Sequence, residues 1–73
     1  MTKSQHTQLY RKLIVELKVA RVRAGLTQQE VARKLKVYKT YVSKCESGER
    51  RVDVIELEDF ARLYRKALSF FLS

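Results

Sequence analysis

Apolar residues recur every three or four positions along most of the chain, the spacing of one buried helix face. The first such run covers residues 9–24, and Gly25 is placed to end it in a left-handed conformation. A second run follows Thr27, which is spaced to form a capping box with Glu30, so we expect a helix over 28–35. The inner faces of these two helices are predicted to carry Leu9, Leu13, Ile14, Leu17, Ala20, Val31, Ala32 and Leu35.

A further helical run begins after Asp53, a residue type that caps helix N-termini. Its apolar positions are Val54, Leu57, Phe60, Ala61 and Tyr64. Residues 67–72 then form a short apolar tail, which we expect to be a last helix. The length of 73 residues predicts a single domain over 1–73, which begins with a flexible segment at 1–7.

The stretch 37–46, VYKTYVSKCE, has letters that favour a strand, because β-branched and aromatic residues alternate with polar ones. No other convincing strand exists to pair with it, and a lone strand would leave its backbone groups without partners. We therefore predict a helix over about 39–47, with Val37, Val42 and Cys45 facing the core. The fold class that follows is all-α, with about five helices.

At 73 residues the chain is near the lower limit for folding without help. One cysteine and one histidine cannot supply a disulfide framework or a structural metal site, so we expect no metal and no cofactor. An efficient helical core, a partner chain or both must stabilise the fold. The absence of an apolar run approaching the roughly 18 residues of a membrane span predicts a soluble, cytoplasmic protein without a membrane partner.

The net charge of +8 is unevenly spread along the chain. Residues 1–51 hold thirteen Lys and Arg against four Glu, whereas residues 52–73 are slightly acidic. Such a basic body is the footprint of a polyanion-binding surface, although a basic surface also simply keeps a protein in solution. No catalytic constellation can be assembled from the residues present, so we do not expect an enzyme.

Residues 20–51 read ARVRAGLTQQEVARKLKVYKTYVSKCESGERR and resemble the helix-turn-helix core of the Cro and lambda-repressor family, also called the XRE family. The parts that carry the resemblance are GLTQQEVARKL, the Val42–Cys45 spacing and ESGERR. It implies a compact, five-helix, lambda-repressor-like DNA-binding domain. Its second and third helices would form the motif, and the third would enter the major groove of DNA.

The resemblance also implies roles for individual residues. The positions that read base edges in the family match Lys39, Thr40, Ser43 and Lys44. Lysine can donate to guanine O6 and N7, and a hydroxyl can donate or accept, but either lysine could instead neutralise a phosphate. The positions that hold the DNA backbone match Gln28, Tyr41, Arg50 and Arg51. Tyr41 could instead cover the junction with the second helix, and the arginines could be solvated.

Arg21 and Glu46 match a family salt bridge that orients the reading helix. Three positions depart from the family pattern: Lys36 replaces a common turn glycine, Tyr38 replaces a Ser or Thr cap, and Arg65-Lys66 replaces a turn containing glycine. We expect altered turn geometry at the first and third of these positions and a weaker helix start at the second.

The apolar tail suggests a second copy of the chain as partner. We expect Leu68, Phe70, Phe71 and Leu72 to form a homodimer interface, with capping of the chain's own core as the alternative. A two-fold dimer would place two reading helices about 34 Å apart on a pseudo-palindromic double-stranded DNA operator.

The function these features predict is a sequence-specific DNA-binding regulator of transcription. Stand-alone family members of this size include phage repressors and controller proteins of restriction–modification systems. The first alternative is an antitoxin-like protein-interaction module with secondary DNA binding. The second is nonspecific, charge-driven nucleic-acid binding.

Overall fold

The computed structural model describes residues 7–72, and within that range the chain forms five α-helices and no strand. The helices are α1 (Gln8–Arg23), α2 (Gln28–Leu35), α3 (Lys39–Ser47), α4 (Val54–Tyr64) and α5 (Leu68–Leu72). The predicted all-α fold is confirmed, and the strand-like stretch is helical from Lys39 onward.

The predicted flexible segment at 1–7 is only partly open to comparison, because residues 1–6 lie outside the described residues. Thr7 itself is the N-cap of α1, and its hydroxyl accepts a 3.1 Å hydrogen bond from the backbone N–H of Tyr10. Thr7 therefore belongs to the helix start and not to a flexible segment, because a hydroxyl at this position satisfies a first-turn amide.

Two helix starts are fixed by capping boxes: the predicted one at Thr27 and Glu30, and a second at Asp53, which was predicted only as an N-cap. Thr27 N–H donates to Glu30 Oε1 at 2.8 Å, and Glu30 N–H donates to Thr27 Oγ1 at 3.1 Å. The same reciprocal pair joins Asp53 and Glu56, at 3.0 and 2.8 Å. Each box satisfies two amides that a helix start otherwise leaves unpaired, so α2 and α4 begin where predicted.

Four helix ends use the left-handed region of backbone space, and Gly25 after α1, with φ of 75°, is one of them as predicted. Gly48 has φ of 82° after α3, while Lys36 and Arg65 have φ of 59° after α2 and α4. Lys36 and Arg65 therefore keep the left-handed conformation that glycine prefers, so these turns are strained by a Cβ and their geometry is not altered. Tyr38 makes no side-chain capping hydrogen bond to α3, which confirms the predicted weak start.

The core forms where α1 meets α3, α4 and α5, with α2 packed on α3. Its buried members are Tyr10, Leu13, Leu17, Ala20, Val31, Ala32, Val42, Cys45, Val52, Leu57, Phe60, Ala61, Tyr64 and Phe71. Two positions placed on inner faces by periodicity are instead mostly exposed: Leu9 at 56% and Val54 at 62%. Both lie in the first turn of their helix, where Tyr10 and Leu57 supply the buried contact instead.

The tail helix α5 packs against α1 and α4 of its own chain. Phe71 is fully buried there, so its predicted place in a dimer interface is wrong for the folded domain, because a buried ring has no surface left for a partner. Leu68 and Phe70 are half-buried, and Leu72 keeps 45% of its surface exposed.

Candidate nucleic-acid interface

The helix pair α2–α3 is joined by a tight turn whose backbone hydrogen bonds are satisfied. Val37 N–H donates to Ala32 O at 2.9 Å, and Lys36 N–H donates to Arg33 O at 3.3 Å. Val42 and Cys45 are both fully buried and fasten α3 to the core. The inner side of α3 is thus fixed by packing, which leaves its outer side free to meet a ligand.

The outer side of α3 carries the four residues predicted to read bases. Lys39, Thr40, Ser43 and Lys44 are all exposed, and within residues 7–72 none of their side chains forms a hydrogen bond or an ion pair. Ser47, one turn further on, differs because its hydroxyl donates to Lys44 O at 3.1 Å. The exposed surface is therefore basic and hydroxyl-rich over the first two turns of the helix.

The predicted pair of Arg21 and Glu46 joins α1 to α3 by two hydrogen bonds. Arg21 Nε donates to Glu46 Oε2 at 2.7 Å, and Arg21 Nη2 donates to Glu46 Oε1 at 3.1 Å. The side chains are only 11% and 5% exposed. Glu46 raises the pKa of Arg21 by accepting these bonds, so the guanidinium stays charged although it is largely buried.

Two further contacts extend this pair into a network. Arg21 Nη1 donates to Leu26 O at 2.9 Å, which ties in the loop between α1 and α2. Gln28 Nε2 donates to Glu46 Oε1 at 3.0 Å, so the residue predicted to hold a phosphate already spends one amide hydrogen inside the domain. Glu46 thereby links α3 to both α1 and α2.

Arg50, also predicted to bind phosphate, is engaged within the domain as well. Its Nη1 and Nη2 donate to Glu56 Oε1 and Oε2 at 3.0 and 2.8 Å. Its guanidinium lies 4.5 Å from the centroid of the Tyr41 ring, a cation–π distance. The sequence analysis did not include Glu56 in the site, and this contact makes it part of the surroundings of α3.

Tyr41 is half-buried between α3 and α4, with its ring stacked on Phe60 at 6.2 Å between centroids. Burial raises the pKa of its phenol, which stays neutral at any physiological pH. The side chain therefore packs at the α3–α4 junction, and not at the junction with the second helix that the sequence left open as an alternative. Arg51 is the predicted backbone contact whose cation is exposed and forms no ion pair within the described residues.

The loop after α3 is held close to α1. Gly48 is in the left-handed region, which favours glycine, and a Cβ there would lie 2.8 Å from Ile14 Cδ1, so the end of that side chain would have to move. Arg50 N–H donates to Lys44 O at 3.1 Å across this turn. Arg51 follows Arg50 in this loop, and its side chain is exposed.

An exposed basic helix, set on a second helix through a tight turn, is the geometry of a DNA-reading motif. In the comparison with known families, the family described as helix-turn-helix domain matches residues 13–66. The chain belongs to this helix-turn-helix family. Its fold agrees with the XRE-type resemblance found in the sequence, and no curated protein matches the chain.

As a helix-turn-helix domain the chain is a DNA-binding protein, and α2 and α3 are the two helices of its motif. None of the helices within residues 7–72 is both long and apolar enough to cross a membrane, and no group of three metal-ligating side chains forms there. The sequence analysis missed Glu56. The spacing of Asp53 and Glu56 is that of a capping box, and this signal could have indicated a fixed carboxylate there. The sequence analysis also missed Tyr10, whose hydroxyl accepts a 2.7 Å hydrogen bond from Val52 N–H.

Proposed function

We propose that this helix-turn-helix protein is a sequence-specific regulator of transcription that reads double-stranded DNA with the outer face of α3. The observation that carries the proposal is the contrast between the two sides of that helix. Val42, Cys45 and Glu46 hold the inner side, while the four outer side chains are exposed and have no partner within the described residues. Unpaired donors on a fixed helix are available for base edges without first breaking a contact within the domain.

Within this proposal, Lys39 and Lys44 donate to guanine, and Thr40 and Ser43 adjust to either base type. Gln28 and the first amides of α2 hold one phosphate, since a helix N-terminus attracts anions and Gln28 keeps a second amide hydrogen. Arg51 holds a flanking phosphate from the loop. Tyr41 supports these contacts from the helix junction.

A homodimer is also part of the proposal, with an interface revised by the burial of Phe71. The apolar groups that remain accessible at this end of the molecule are Leu68, Phe70 and Leu72. Leu9 adds to them, since Leu9 and Leu72 line the same shallow depression. Pairing of such patches about a two-fold axis would present two reading helices to a palindromic operator. A dimer makes occupancy depend steeply on concentration, as suits a controller protein or a phage-type repressor.

The test is equilibrium binding of single variants to an operator recovered by selection and to a scrambled duplex of equal length. Lys39→Ala and Lys44→Ala should each remove about 1–3 kcal/mol of preference for the operator, because a lost base contact affects only the correct sequence. Arg51→Ala should weaken both duplexes alike and reduce the slope of log K against log salt by about 0.9.

Lys12→Ala is the charge-matched control, since Lys12 is exposed on α1 and outside the predicted contacts. It should leave the preference for the operator unchanged. If Lys39→Ala, Lys44→Ala and Arg51→Ala weaken both duplexes by the same factor, the outer face of α3 does not read sequence and the proposal fails.

A further inference from the structure

Arg50 connects the reading helix to α4 through three separate contacts. Its backbone N–H donates to Lys44 O, and its guanidinium lies on the ring of Tyr41, so two of the contacts are with α3. The third is the pair of hydrogen bonds to Glu56 in the first turn of α4. The arginine therefore bridges two helices whose relative position decides where the outer face of α3 points.

Glu56 is held in place independently of Arg50. Its Oε1 accepts from Asp53 N–H at 3.0 Å, while its own N–H donates to Asp53 Oδ1 at 2.8 Å. A carboxylate fixed in a capping box loses little further freedom when it binds a guanidinium. Arg50 lowers the pKa of Glu56, so the pair stays ionised at neutral pH.

The other end of this arrangement rests on the core. Phe60 is 1% exposed and stacks on Tyr41 at 6.2 Å with an interplanar angle of 16°. Phe60, Tyr41, Arg50 and Glu56 thus form a continuous column, defined here as the α3–α4 clamp. The clamp begins at the buried ring of Phe60 and ends at the surface ion pair of Arg50 and Glu56.

The first turn of α3 has no side-chain cap, since Tyr38 is 84% exposed and forms no capping hydrogen bond. Buried Val42 holds its inner side, and the Val37–Ala32 backbone hydrogen bond holds the chain just before it. Lys39 and Thr40 lie in this turn. Tyr41 follows them directly, so the clamp adds a restraint on the turn besides Val42.

We propose that Glu56 is a positioning residue for DNA recognition, which acts by holding Arg50 on Tyr41 and so fixes the first turn of α3. This inference rests on the proposed function and adds a role for Arg50. Arg50 serves chiefly as a link in the clamp, and Arg51 supplies the phosphate contact from this loop.

Simple electrostatics and the clamp predict different effects of one substitution, because charge alone changes the affinity for every duplex alike and leaves the ratio between duplexes unchanged. Glu56→Gln removes a negative charge and should tighten binding to any duplex if charge alone matters. Glutamine still completes a capping box, so α4 keeps its start. It cannot form the charge-assisted pair with Arg50, however, and the clamp should loosen.

The experiment measures the ratio of affinities for a selected operator and a scrambled duplex. Glu56→Gln should lower this ratio about tenfold, the effect of losing a hydrogen-bonded charge contact. Glu58→Gln is the matched control, because Glu58 is on the same helix, half exposed, and changes the net charge equally. It should leave the ratio within about twofold, as a weak surface pair does.

Arg50→Lys is a second test of the clamp, and it keeps the positive charge at this position. Lysine can neutralise a phosphate but cannot make two parallel bonds to a carboxylate, so the ratio should fall as in Glu56→Gln while the salt slope stays as in the unmodified chain. Thermal melts establish the temperature at which each variant is folded, and binding is measured below it. Should Glu56→Gln fail to fold, Arg50→Lys decides.

An unchanged ratio in both Glu56→Gln and Arg50→Lys would overturn the clamp. A reduced salt slope in Arg50→Ala equal to that in Arg51→Ala would do so too, because it would make Arg50 a phosphate ligand. Failure of the proposed function is distinguishable, since the unmodified chain would then prefer no duplex in the first place.

Discussion

Glu46 is the residue on which the polar contacts of the reading helix converge. It accepts hydrogen bonds from Arg21 and Gln28 on two other helices, and its side chain is only 5% exposed. A carboxylate this deeply placed is tolerated because a guanidinium and an amide occupy both oxygens. Its removal would leave the Arg21 charge buried without a partner.

Glu46→Ala should therefore lower the free energy of unfolding by about 3 kcal/mol, the usual cost of breaking a buried ion pair from one side. Urea denaturation followed by circular dichroism measures this change. Glu58→Ala removes a carboxylate from the surface pair with Arg62, 3.7 Å apart, and should cost less than about 0.5 kcal/mol. Equal losses in the two variants would show that the buried network stabilises nothing.

Tyr64 offers a change in the opposite direction. Its ring is 5% exposed, and its hydroxyl has no hydrogen-bond partner among the described residues. Tyr64→Phe keeps the ring contact with Phe60 and should raise the free energy of unfolding by about 1 kcal/mol, because a buried hydroxyl without a partner is costly. Tyr10→Phe is the control and should lower it, since that hydroxyl accepts from Val52 N–H.

The pH dependence of the Tyr64→Phe variant follows from the same burial. Burial raises the pKa of the Tyr64 phenol above its ordinary value of 10.0. Below pH 10.0 the phenol is neutral in both the folded and the unfolded chain, so its ionisation does not affect stability. As the pH rises from 10.0 toward the folded-state pKa, only the unfolded chain ionises, which lowers the free energy of unfolding. Stability should fall less steeply above pH 10.0 in Tyr64→Phe. An unchanged slope would contradict the assignment.

At this scale the sequence predicted what residue types and spacing specify. The Arg21–Glu46 pair came from the family resemblance, and Val42 and Cys45 came from helical periodicity. The Arg50–Glu56 contact was not predictable, because it spans a loop whose path depends on Gly48 and Ile14. Phe71 was assigned to the wrong environment because apolar composition does not distinguish a core from an interface.

The helices themselves are bounded by features that are visible in the sequence. The capping boxes before α2 and α4 and the glycines after α1 and α3 lie where the letters place them. Local chemistry at a helix end acts on neighbouring residues only, so it can be recognised without the fold. The exposure of Leu9 and Val54 depends on which neighbouring helix covers a first turn, which periodicity alone cannot specify.

The end of α4 carries a strained residue that can be relieved. Arg65 has φ of 59° and ψ of 46°, a left-handed conformation that costs a residue with a Cβ roughly 1–2 kcal/mol. Arg65→Gly should therefore raise the free energy of unfolding by about 1 kcal/mol, less the entropy of the more flexible unfolded chain. Thermal or urea unfolding measures the gain.

Arg65→Ala is the control for that substitution, because alanine removes the side chain and its charge but keeps the Cβ. It should give no gain in stability. A gain of the same size in both variants would mean that the arginine side chain, and not the backbone conformation, is unfavourable at this helix end.

Across the whole molecule, the positive charge is concentrated on the part of the chain that contains α3. The basic excess belongs to residues 1–51, which contain α1 to α3, while the acidic side chains Asp53, Glu56, Glu58 and Asp59 lie on α4 and its cap. Phosphates attract the first part and repel the second, so approach of the domain to DNA is oriented before any base is contacted. The sequence predicted this asymmetry from composition, but the direction of each charge required the fold.

The exposed apolar side chains of Leu9 and Leu72 lie together at one end of the molecule, where a second copy could bind. If Leu9 and Leu72 meet their counterparts in a second copy, the two reading helices are related by a two-fold axis. The operator must then repeat its sequence in inverted form about one helical turn away, roughly 34 Å along the DNA.

Selection of bound duplexes from a random pool by the unmodified chain tests the reading of DNA by α3 most directly. We expect one enriched sequence made of two inverted half-sites, whose centres lie about 10 base pairs apart. Repeating the selection with Lys39→Ala should relax preference at one position of each half-site while the rest is retained. A pool that stays random after repeated selection at about 0.15 M salt, with binding that is lost equally on all sequences, would contradict it.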